Sequence, residues 1–499
     1  MEYLICLVVY IAIMVGISIY SKSKTKNVSD FTLGGRAIPS WMSAFSYGTA
    51  YFSAVILIGH AGKNGWSFGL GTFWIVLGNS LLGTYLAWKV LGRRTREMTQ
   101  RLGAATMPQF LGIRYKDQKL RFLSSLIIFI FLVPYAASVY KGLGFLFKIT
   151  FNMDEKIIML IMTIITALYL FVGGFLAASI ADFIQGVIMI VGVCLLIYFI
   201  ITSPNVDGLM NGISGLKEIN PDLVKPFTEK TALPLFSLVI MTSFGTWGLP
   251  QMVSKFYTIK NEKSISVAKV VSTIFAVIIT TGAYIMGSMS RLILNNDESL
   301  FTEDGKVVYD KIVPLVINQT LPKIVIGILL VVILAASMST LSSIVLASST
   351  TFVMDLVKPI TNNKLNERQT VNLLRICCLT FVTAAYFLAT GNSPILSLNS
   401  LSWGVVSGCM LAPYLLGLYW KNATKMGVYA SMMSAVLIMV FGVIKYSINN
   451  IMITTISACS IVIPIGVLVA VSLVTSLYEK THIEYIFNTT TNTMEANLK

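Results

Sequence analysis

Apolar runs of about 20 residues alternate with short polar connectors along most of the chain. Each run is long enough to cross about 30 Å of hydrocarbon as a helix. We predict about thirteen membrane spans, near residues 1–20, 38–62, 66–92, 121–147, 156–175, 178–202, 232–257, 265–291, 323–354, 370–390, 393–419, 426–445 and 451–477. The pattern therefore predicts an all-α polytopic membrane protein.

The composition agrees with this class, because 55% of the 499 residues are hydrophobic and 12% are charged. A soluble protein carries about a quarter charged residues. The net charge of +15 comes largely from short connectors, SKSKTK (21–26), GRRTREMTQR (92–101), RYKDQKLR (114–121) and KNATK (421–425). Basic connectors mark the cytoplasmic side of a membrane protein and not a nucleic-acid surface. We therefore expect a plasma-membrane protein with its N-terminus outside, its C-terminus in the cytoplasm and no nucleic-acid partner.

Two predicted spans contain clusters of residues that interrupt helices. The second span has Gly48 within FSYGTAYFSA, and the seventh has Gly245, Gly248 and Pro250 within SFGTWGLPQ. Glycine and proline are also common in ordinary membrane helices. These spans are five apart in order, however, and so run in opposite directions. Transporters built from inverted repeats place broken helices in such matching positions, and we predict a break in both spans.

The ninth span carries an unusual density of hydroxyl groups in VVILAASMSTLSSIVLASSTT, residues 331–351. Positions 336, 339, 340 and 343 share one face of a helix. Two interpretations fit this pattern. The hydroxyls of Ser339 and Thr340 could bind Na⁺ together with carbonyl groups of a broken helix. Alternatively, the hydroxyls return to the carbonyl one turn back and allow close helix packing.

Asp182, in AASIADFIQG, is the one carboxylate that we expect deep within a span. Such a group either supports a cation, with Ser342 or Ser343, or caps the start of a helix. Of the two histidines, we place His60 at a membrane interface and His482 in the tail. Proton-driven transport relies on titratable groups inside the membrane, so this inventory favours Na⁺ as the coupling ion. We find no pattern typical of an enzyme or an organic cofactor.

At these motifs the chain resembles the sodium:solute symporter family. ALYLFVGGFLAASIADFIQG, with Gly173 and Gly174, is similar to a signature of that family, and ILAASMSTLSS is similar to its ion-binding helix. The similarity runs from DFTLGGR near residue 30 to YWKNATKMG near residue 427. A second signature departs from the pattern at Asn422, where the family has a basic residue.

The resemblance implies ten core helices in two inverted five-helix repeats, with alternating access driven by the sodium gradient. One extra helix would precede the core and two would follow it. The implied divisions are 1–37 for the first helix and a cytoplasmic loop, 38–202 for the first repeat, 203–231 for an extracellular loop, 232–419 for the second repeat, 420–477 for two further helices and 478–499 for a cytoplasmic tail.

The resemblance also implies sodium ligands. The main site would use backbone carbonyls of Thr49, Phe52 and Ala336 and the hydroxyls of Ser339 and Thr340. Some members of the family hold a second sodium ion. The matching residues of this chain are Asp182, Ser339, Ser342 and Ser343.

For the solute, Tyr135, Ser53 and Pro250 match positions of the proline symporters. Tyr51 and Ala54 stand where those symporters carry aspartate and glycine. Three further aromatic residues could form an apolar wall of the pocket, namely Trp74, Phe244 and Trp247.

We therefore expect Na⁺-coupled symport of a small zwitterion such as proline. A sugar, a vitamin such as pantothenate, or a carboxylate is the alternative solute. We see no cation in the expected pocket, which argues against a bulky acid. A channel or a transporter-like sensor is the alternative class, although no ring motif of a channel is evident. We expect the lipid bilayer and the solute as partners, and no obligatory protein partner.

Overall fold

Helices account for most of the described residues in the computed structural model. The structure describes residues 2–22, 28–34, 38–151, 153–295, 297–302, 305–362, 364–448, 450, 452–476 and 478–487, without the side chains of 2–4, 22, 30, 149 and 168–174. Within these ranges the β-structure is limited to the isolated bridges of Ile38 with Ile259 and of Phe301 with Val307. The predicted all-α class is confirmed.

The first half of the chain contains helices α1 Glu2–Lys22, α2 Val28–Leu33, α3 Ser40–Tyr51, α4 Ala61–Phe68, α5 Phe73–Leu77, α6 Arg93–Arg101, α7 Met107–Arg114, α8 Gln118–Phe151, α9 Glu155–Ile201 and α10 Leu209–Ile219. Wider π-helical turns at Val55–His60, Gly78–Leu86 and Trp88–Gly92 and 3₁₀ turns at Gly69–Thr72 and Pro221–Val224 connect some of them.

The second half contains α11 Glu229–Gly248, α12 Pro250–Tyr257, α13 Glu262–Leu294, α14 Ile312–Thr320, α15 Lys323–Phe352, α16 Lys358–Ile360, α17 Glu367–Ala389, α18 Ile395–Tyr419, α19 Lys425–Tyr446, α20 Met452–Val474 and α21 Lys480–Phe487. A π-helical turn at Val353–Val357 and 3₁₀ turns at Glu298–Leu300 and Tyr309–Lys311 complete the helical elements of the described residues.

Ten helical stretches of the described chain are long and apolar enough to cross a membrane, and Ile5–Ser21 is a shorter apolar helix. The most buried are the stretches of α15 and α18, with 89% and 83% of their apolar windows inside the protein. The corresponding shares for α17 and α19 are 33% and 39%. α15 and α18 therefore form the centre of the bundle, and α17 and α19 lie at its periphery.

Two carboxylates, Asp310 and Asp355, mark the two ends of the bundle. At the Asp310 end, the carboxylate of Asp310 accepts a hydrogen bond from the backbone N–H of Ile395 at 3.4 Å. At the Asp355 end, the carboxylate of Asp355 accepts one from Thr106 Oγ1 at 2.5 Å. These two names are used below for the ends.

One of the ten stretches, Val55–Arg101, contains a reversal of direction. The backbone N–H of Ile38 donates to the Thr258 carbonyl at 3.3 Å, and Arg96 Nε donates to the Ile259 carbonyl at 2.9 Å. Because Thr258 and Ile259 are adjacent, Ile38 and Arg96 lie at the same end of the bundle. The chain turns between them at Gly69, whose φ of +51° is the left-handed region that glycine adopts readily. This part of the chain thus crosses the bundle twice.

α9 also has both of its ends at the Asp310 end. It follows α8, whose Lys141 Nζ donates to the Ser393 carbonyl at 2.8 Å, close to Asp310. Just after α9 ends, Asn205 Nδ2 donates to the Ile293 carbonyl at 3.3 Å. Phe175, in the middle, lines a cavity at the Asp355 end. A straight helix of 47 residues would extend about 70 Å, so the chain crosses twice here as well. The total of about thirteen spans and the proposed domain divisions remain predictions.

Both predicted breaks are present, and the two broken helices are antiparallel. α3 ends at Tyr51, and the next residue, Phe52, has extended backbone angles of φ −105° and ψ 99°. α11 and α12 are separated by Leu249, with φ −82° and ψ 121°. Ser46 contacts Lys255, and five residues later Tyr51 contacts Thr242, so the second broken helix runs opposite to the first. The broken, inverted pair read from Gly48, Gly245, Gly248 and Pro250 is confirmed.

Candidate functional site

The break in α3 leaves backbone oxygens without a following helical turn. The last helical hydrogen bond of α3 runs from the Phe52 N–H to the Gly48 carbonyl at 3.0 Å. Carbonyl groups at a helix end have no partner within the helix. Thr340 Oγ1, on α15, lies 3.2 Å from the Thr49 carbonyl and 3.4 Å from the Ala50 carbonyl. The structure therefore brings two of the predicted main-site residues, Thr49 and Thr340, into direct contact.

The other main-site residues lie on the same two helices but have different contacts. Ser339 Oγ donates to Asp182 Oδ1 at 2.6 Å. Phe52 and Ala336 are fully buried, three residues after Thr49 and one helical turn before Thr340 respectively. In this oxygen-rich centre, the Thr340 hydroxyl faces the carbonyls at the end of α3. The Ser339 hydroxyl instead bonds the neighbouring Asp182 carboxylate.

A charged cluster lies next to this centre. Asp182 is fully buried and accepts hydrogen bonds from Ser46 Oγ and Ser339 Oγ. Lys255 Nζ lies 3.2 Å from Asp182 Oδ2, 2.7 Å from Ser46 Oγ and 3.0 Å from Ser343 Oγ. Because these partners are side chains of other helices, the interpretation of Asp182 as a helix cap is wrong. The carboxylate instead joins α3, α12 and α15 to α9.

Of the residues assigned to a second sodium, Asp182, Ser339 and Ser343 belong to this cluster. Ser342 Oγ instead donates to the Ser339 carbonyl at 2.8 Å, as a hydroxyl does when it packs against its own helix. Lys255 was missed in the sequence, although a signal was present. It is a charged residue inside the predicted span 232–257, and charged residues within a span usually have a function.

A small cavity leads to the charged cluster from the Asp355 end. Its volume is about 30 Å³, and Thr32, Phe175 and Thr351 line it together with Lys255 and Ser343. A cavity of that volume has room for a water molecule. The Phe175 ring faces Lys255 Nζ at 5.3 Å from its centroid, within the range of a cation–π contact.

Residues assigned to the solute pocket gather around the break in α3. Tyr51 donates from its hydroxyl to the Thr242 carbonyl at 2.6 Å, and its ring stacks on Phe52 at 4.2 Å. Ser53 Oγ accepts from the Val55 N–H at 3.2 Å, which closes the turn after the break. These side chains are buried, and Ala54 beside them is also fully buried.

Tyr135 on α8 provides an aromatic surface near this break. Its ring packs edge-on against Trp403 of α18 at 5.6 Å. A Cβ at Gly142, two turns further along α8, would lie 3.1 Å from the Ala54 Cβ. Trp403 also lies against the second broken helix, because a Cβ at Gly245 would come within 2.8 Å of its ring. Trp403 was not singled out from the sequence, where a tryptophan in an apolar span looks like any packing residue.

The remaining residues assigned to the pocket make contacts with other parts of the protein. Trp74 is 37% exposed and packs at 5.8 Å from Phe236, on the outside of the bundle. Trp247 Nε1 donates to the Leu82 carbonyl at 3.1 Å, and Phe244 packs against the Trp247 ring at 5.5 Å. Pro250 is the first residue of α12 and lines the cavity at the Asp355 end. The part of these four residues in solute binding stays a prediction.

One expectation about a polar residue is wrong. His60 is fully buried instead of interfacial, and its Nε2 lies 3.2 Å from Asn399 Nδ2. Asp355 is a second buried carboxylate in a candidate span, which extends to Ile360, but it lies at an end of the bundle. It therefore does not contradict the expectation that Asp182 is the carboxylate deep within a span.

A pair of antiparallel broken helices around an oxygen-rich centre defines a cation-coupled secondary transporter. Residues 31–435 match the sodium:solute symporter family, and the chain belongs to that family. The suspected family is thereby confirmed, together with Na⁺-coupled transport across the plasma membrane as its general activity.

Curated relatives are similar over most of their length. The high-affinity proline transporter PutP of Bacillus subtilis (strain 168) is 30% identical over 430 residues, which cover 84% of this chain and 87% of the relative. The osmoregulated proline transporter OpuE of the same organism is 29% identical over 442 residues, 86% of each chain. The sodium/proline symporter of Staphylococcus aureus (strain JH9) is 30% identical over 451 residues, 87% of this chain and 85% of the relative.

Solved structures show the same fold. A Na⁺-coupled sialic acid symporter in its substrate-bound outward-open state matches with a TM-score of 0.77 at 19% identity, over 96% of this chain and 99% of that one. Mhp1, a nucleobase-cation-symport-1 family transporter in a closed conformation, matches with a TM-score of 0.55 at 12% identity, over 92% and 99%. The predicted fold class is confirmed.

Proposed function

We propose that this protein uses the sodium gradient to accumulate a small zwitterionic amino acid, with proline as the substrate. The proline transporters named above support this choice, because each is about 30% identical over most of both chains. Alternating access moves one solute with its coupling ion per cycle. An organic cofactor and a protein partner play no part in this proposal.

The observation that carries the sodium proposal is the contact of Thr340 with the open end of α3. Na⁺ is a hard cation that prefers oxygen ligands, and neutral carbonyl and hydroxyl oxygens suffice for a single charge. Thr340 Oγ1 already lies 3.2 Å from the Thr49 carbonyl. In our proposal Na⁺ binds between them, with the Phe52 and Ala336 carbonyls and the Ser339 hydroxyl as its further ligands.

The solute would bind on the other side of the α3 break, against Tyr135 and Ser53. The Tyr135–Trp403 pair offers an apolar surface for the ring of proline. Tyr51 and Ala54 replace the aspartate and glycine of the proline symporters, which makes the first half of this pocket less polar. A neutral zwitterion suits such a pocket better than an anion does.

We also propose an orientation, with the Asp355 end in the cytoplasm. This end carries the basic connectors, including Arg96, which bonds the Ile259 carbonyl, and Arg121, which is paired with Asp355. Basic loops remain on the cytoplasmic side. α21 packs at the same end, where His482 contacts the Arg114 carbonyl at 3.1 Å, so the described C-terminal part would be cytoplasmic. The N-terminus would then be outside.

The test is uptake of radiolabelled proline into proteoliposomes with an inward Na⁺ gradient, beside a panel of sugars, pantothenate and carboxylates. Ser339→Ala with Thr340→Ala should weaken apparent Na⁺ affinity at least about 30-fold, since each lost partner of a buried group contributes about 1–3 kcal/mol. Ser337→Ala is the matched control, because that hydroxyl bonds the Ile333 carbonyl of its own helix at 2.7 Å.

Unchanged sodium dependence in the double variant would remove this site from the proposal. Sodium-driven uptake of another solute in place of proline would move the substrate to that class. Large single-channel currents without solute coupling would favour a channel instead.

A further inference from the structure

The polar cluster around Asp182 contains a cation that belongs to the protein. Lys255 Nζ lies 2.7 Å from Ser46 Oγ, 3.0 Å from Ser343 Oγ and 3.2 Å from Asp182 Oδ2. An ammonium group has three N–H donors and no acceptor. The three acceptors therefore use its full hydrogen-bonding capacity.

The same oxygens are those that the family resemblance assigns to a second sodium ion. Asp182 and Ser343 contact the ammonium directly, and Ser339 donates to the other oxygen of Asp182 at 2.6 Å. The remaining hydroxyl, that of Ser342, is turned to the Ser339 carbonyl at 2.8 Å. All four assigned side chains thus have partners that a sodium ion would have to displace.

The charges lead to the same conclusion. Asp182 is fully buried and Lys255 is 2% exposed, and together they are neutral. A sodium ion bound to Asp182 would leave the cluster with one excess positive charge away from water, close to an ammonium that repels it. Buried charges are tolerated when they are paired, and this carboxylate already has its pair.

At the neighbouring proposed sodium site, the described residues provide no such fixed cation. Thr340 faces the Thr49 and Ala50 carbonyls, which carry partial negative charge and no counterion. The two sites lie about one helical turn apart along α15. The helix thus presents a neutral oxygen site at Thr340 and, at Ser343, a site that the Lys255 ammonium already occupies.

We propose that the Lys255 ammonium takes the place of a second sodium ion, so that this protein binds and transports one Na⁺ per solute. The inference rests on the proposed sodium-coupled function. Lys255 lies on α12, immediately after the break at Leu249. The broken helix of the second half therefore brings the tethered cation to α3, α9 and α15. Lys255 thereby acts as a specificity-determining residue for ion stoichiometry.

One coupling ion limits how far the solute can be concentrated. Without a membrane potential, a tenfold Na⁺ gradient supports about a tenfold solute gradient with one ion and about 100-fold with two. The first experiment is equilibrium binding of ²²Na⁺ to the purified wild-type protein, with and without proline. We expect a plateau of one Na⁺ per chain and a Hill coefficient of one.

Two sodium ions per wild-type chain would overturn the inference while leaving the proposed function intact. A plateau of zero at up to 500 mM Na⁺ would instead remove sodium coupling itself, and the inference with it. The two failures are thus distinguishable, and neither depends on a variant that folds.

The second experiment removes the tethered cation. Lys255→Ser leaves Asp182 without its pair, adds a hydroxyl and opens space continuous with the cavity lined by Ser343. We expect the ²²Na⁺ plateau to rise from one to two and the melting temperature to become Na⁺-dependent. In the matched control, Asp182→Asn with Lys255→Ser, the plateau should return to one.

A folded Lys255→Ser protein that keeps a plateau of one would contradict the proposal. Two ions in the double variant would also contradict it, because the added ion would then not depend on the Asp182 carboxylate. Folding is checked by size-exclusion chromatography, and the wild-type plateau decides the matter where the variant does not fold.

Discussion

Asp182 and Asp355 are both buried carboxylates paired with a cation of another helix. The two cations differ in their exposure and in their other hydrogen-bond partners. Lys255 is 2% exposed and bonds side-chain oxygens of three helices. The Arg121 side chain is 16% exposed, and its second nitrogen donates to the Met354 carbonyl at 2.8 Å. The first pair lies beside the proposed sodium site, and the second bonds the backbone just after α15.

The difference follows from the chemistry of the two cations. Arginine presents a planar fork that bonds a carboxylate and a carbonyl at once, which suits a fixed joint between segments. Lysine presents a compact point charge with three donors. In size and charge an ammonium group is closer to a metal cation than a guanidinium is. In our proposal, similar ion pairs therefore serve as a structural joint at Asp355 and as an ion site at Asp182.

The largest effect is expected when the fully buried pair is broken. Asp182→Asn leaves the Lys255 charge buried without compensation, which destabilises a protein by about 3–5 kcal/mol. The melting temperature in detergent, measured in sodium-free buffer, should fall accordingly. In the matched control, Asp182→Asn with Lys255→Met, most of the stability should return, because no charge is then left unpaired. A single variant as stable as the wild type would show that the pair is not desolvated.

Weakening the Asp355–Arg121 pair should cause a smaller loss of stability. Asp355→Asn weakens the bonds to Thr106 and Arg121, but Arg121 reaches water and keeps the Met354 carbonyl. We expect a loss of about 1–3 kcal/mol, together with an unchanged number of bound sodium ions in the ²²Na⁺ assay. A change in sodium stoichiometry would contradict the separation of a structural joint from an ion site.

A smaller effect is expected from Ser343→Ala, which removes one of the three acceptors of Lys255. The cavity at this position is about 30 Å³ and adjoins both side chains. A water molecule can therefore take over the lost hydrogen bond, and we expect a loss of about 1 kcal/mol in melting experiments. Ser337→Ala on the same helix serves as the control. A loss of stability larger than that of Asp355→Asn would mean that water does not replace the Ser343 hydroxyl in the cavity.

The sequence predicts best those features that a local pattern encodes. Gly48, Gly245 and Pro250 interrupt helices through their own backbone properties, and both breaks are present where they were expected. The hydroxyls on one face of the ninth span pointed to Thr340, whereas Thr49, which Thr340 contacts, was named only through the family resemblance. Spans and breaks are determined by residues that are close together in the sequence, and so the sequence alone predicts them.

The sequence predicts poorly those features that depend on which helices meet. His60 and Asn399 are 339 positions apart, and no pattern on either helix indicates their contact. Trp74 looks like a pocket residue by its type, yet its span presents it to the outside. Lys255 was visible as a charge within a span, but its partner, Asp182, is identified only by the packing of α9 against α12.

The smallest effect tests whether burial or distance sets the strength of these pairs. Lys148 Nζ lies 3.4 Å from Glu155, close to the 3.2 Å of Lys255 from Asp182, but the side chains are 51% and 34% exposed. Water and salt screen such a pair, so Lys148→Gln should change the free energy of unfolding by less than about 0.5 kcal/mol. The measurement is the melting temperature at 20 mM and 500 mM choline chloride. A loss comparable to that of Asp182→Asn would mean that distance governs both pairs, whereas burial predicts that the two variants differ by several kcal/mol.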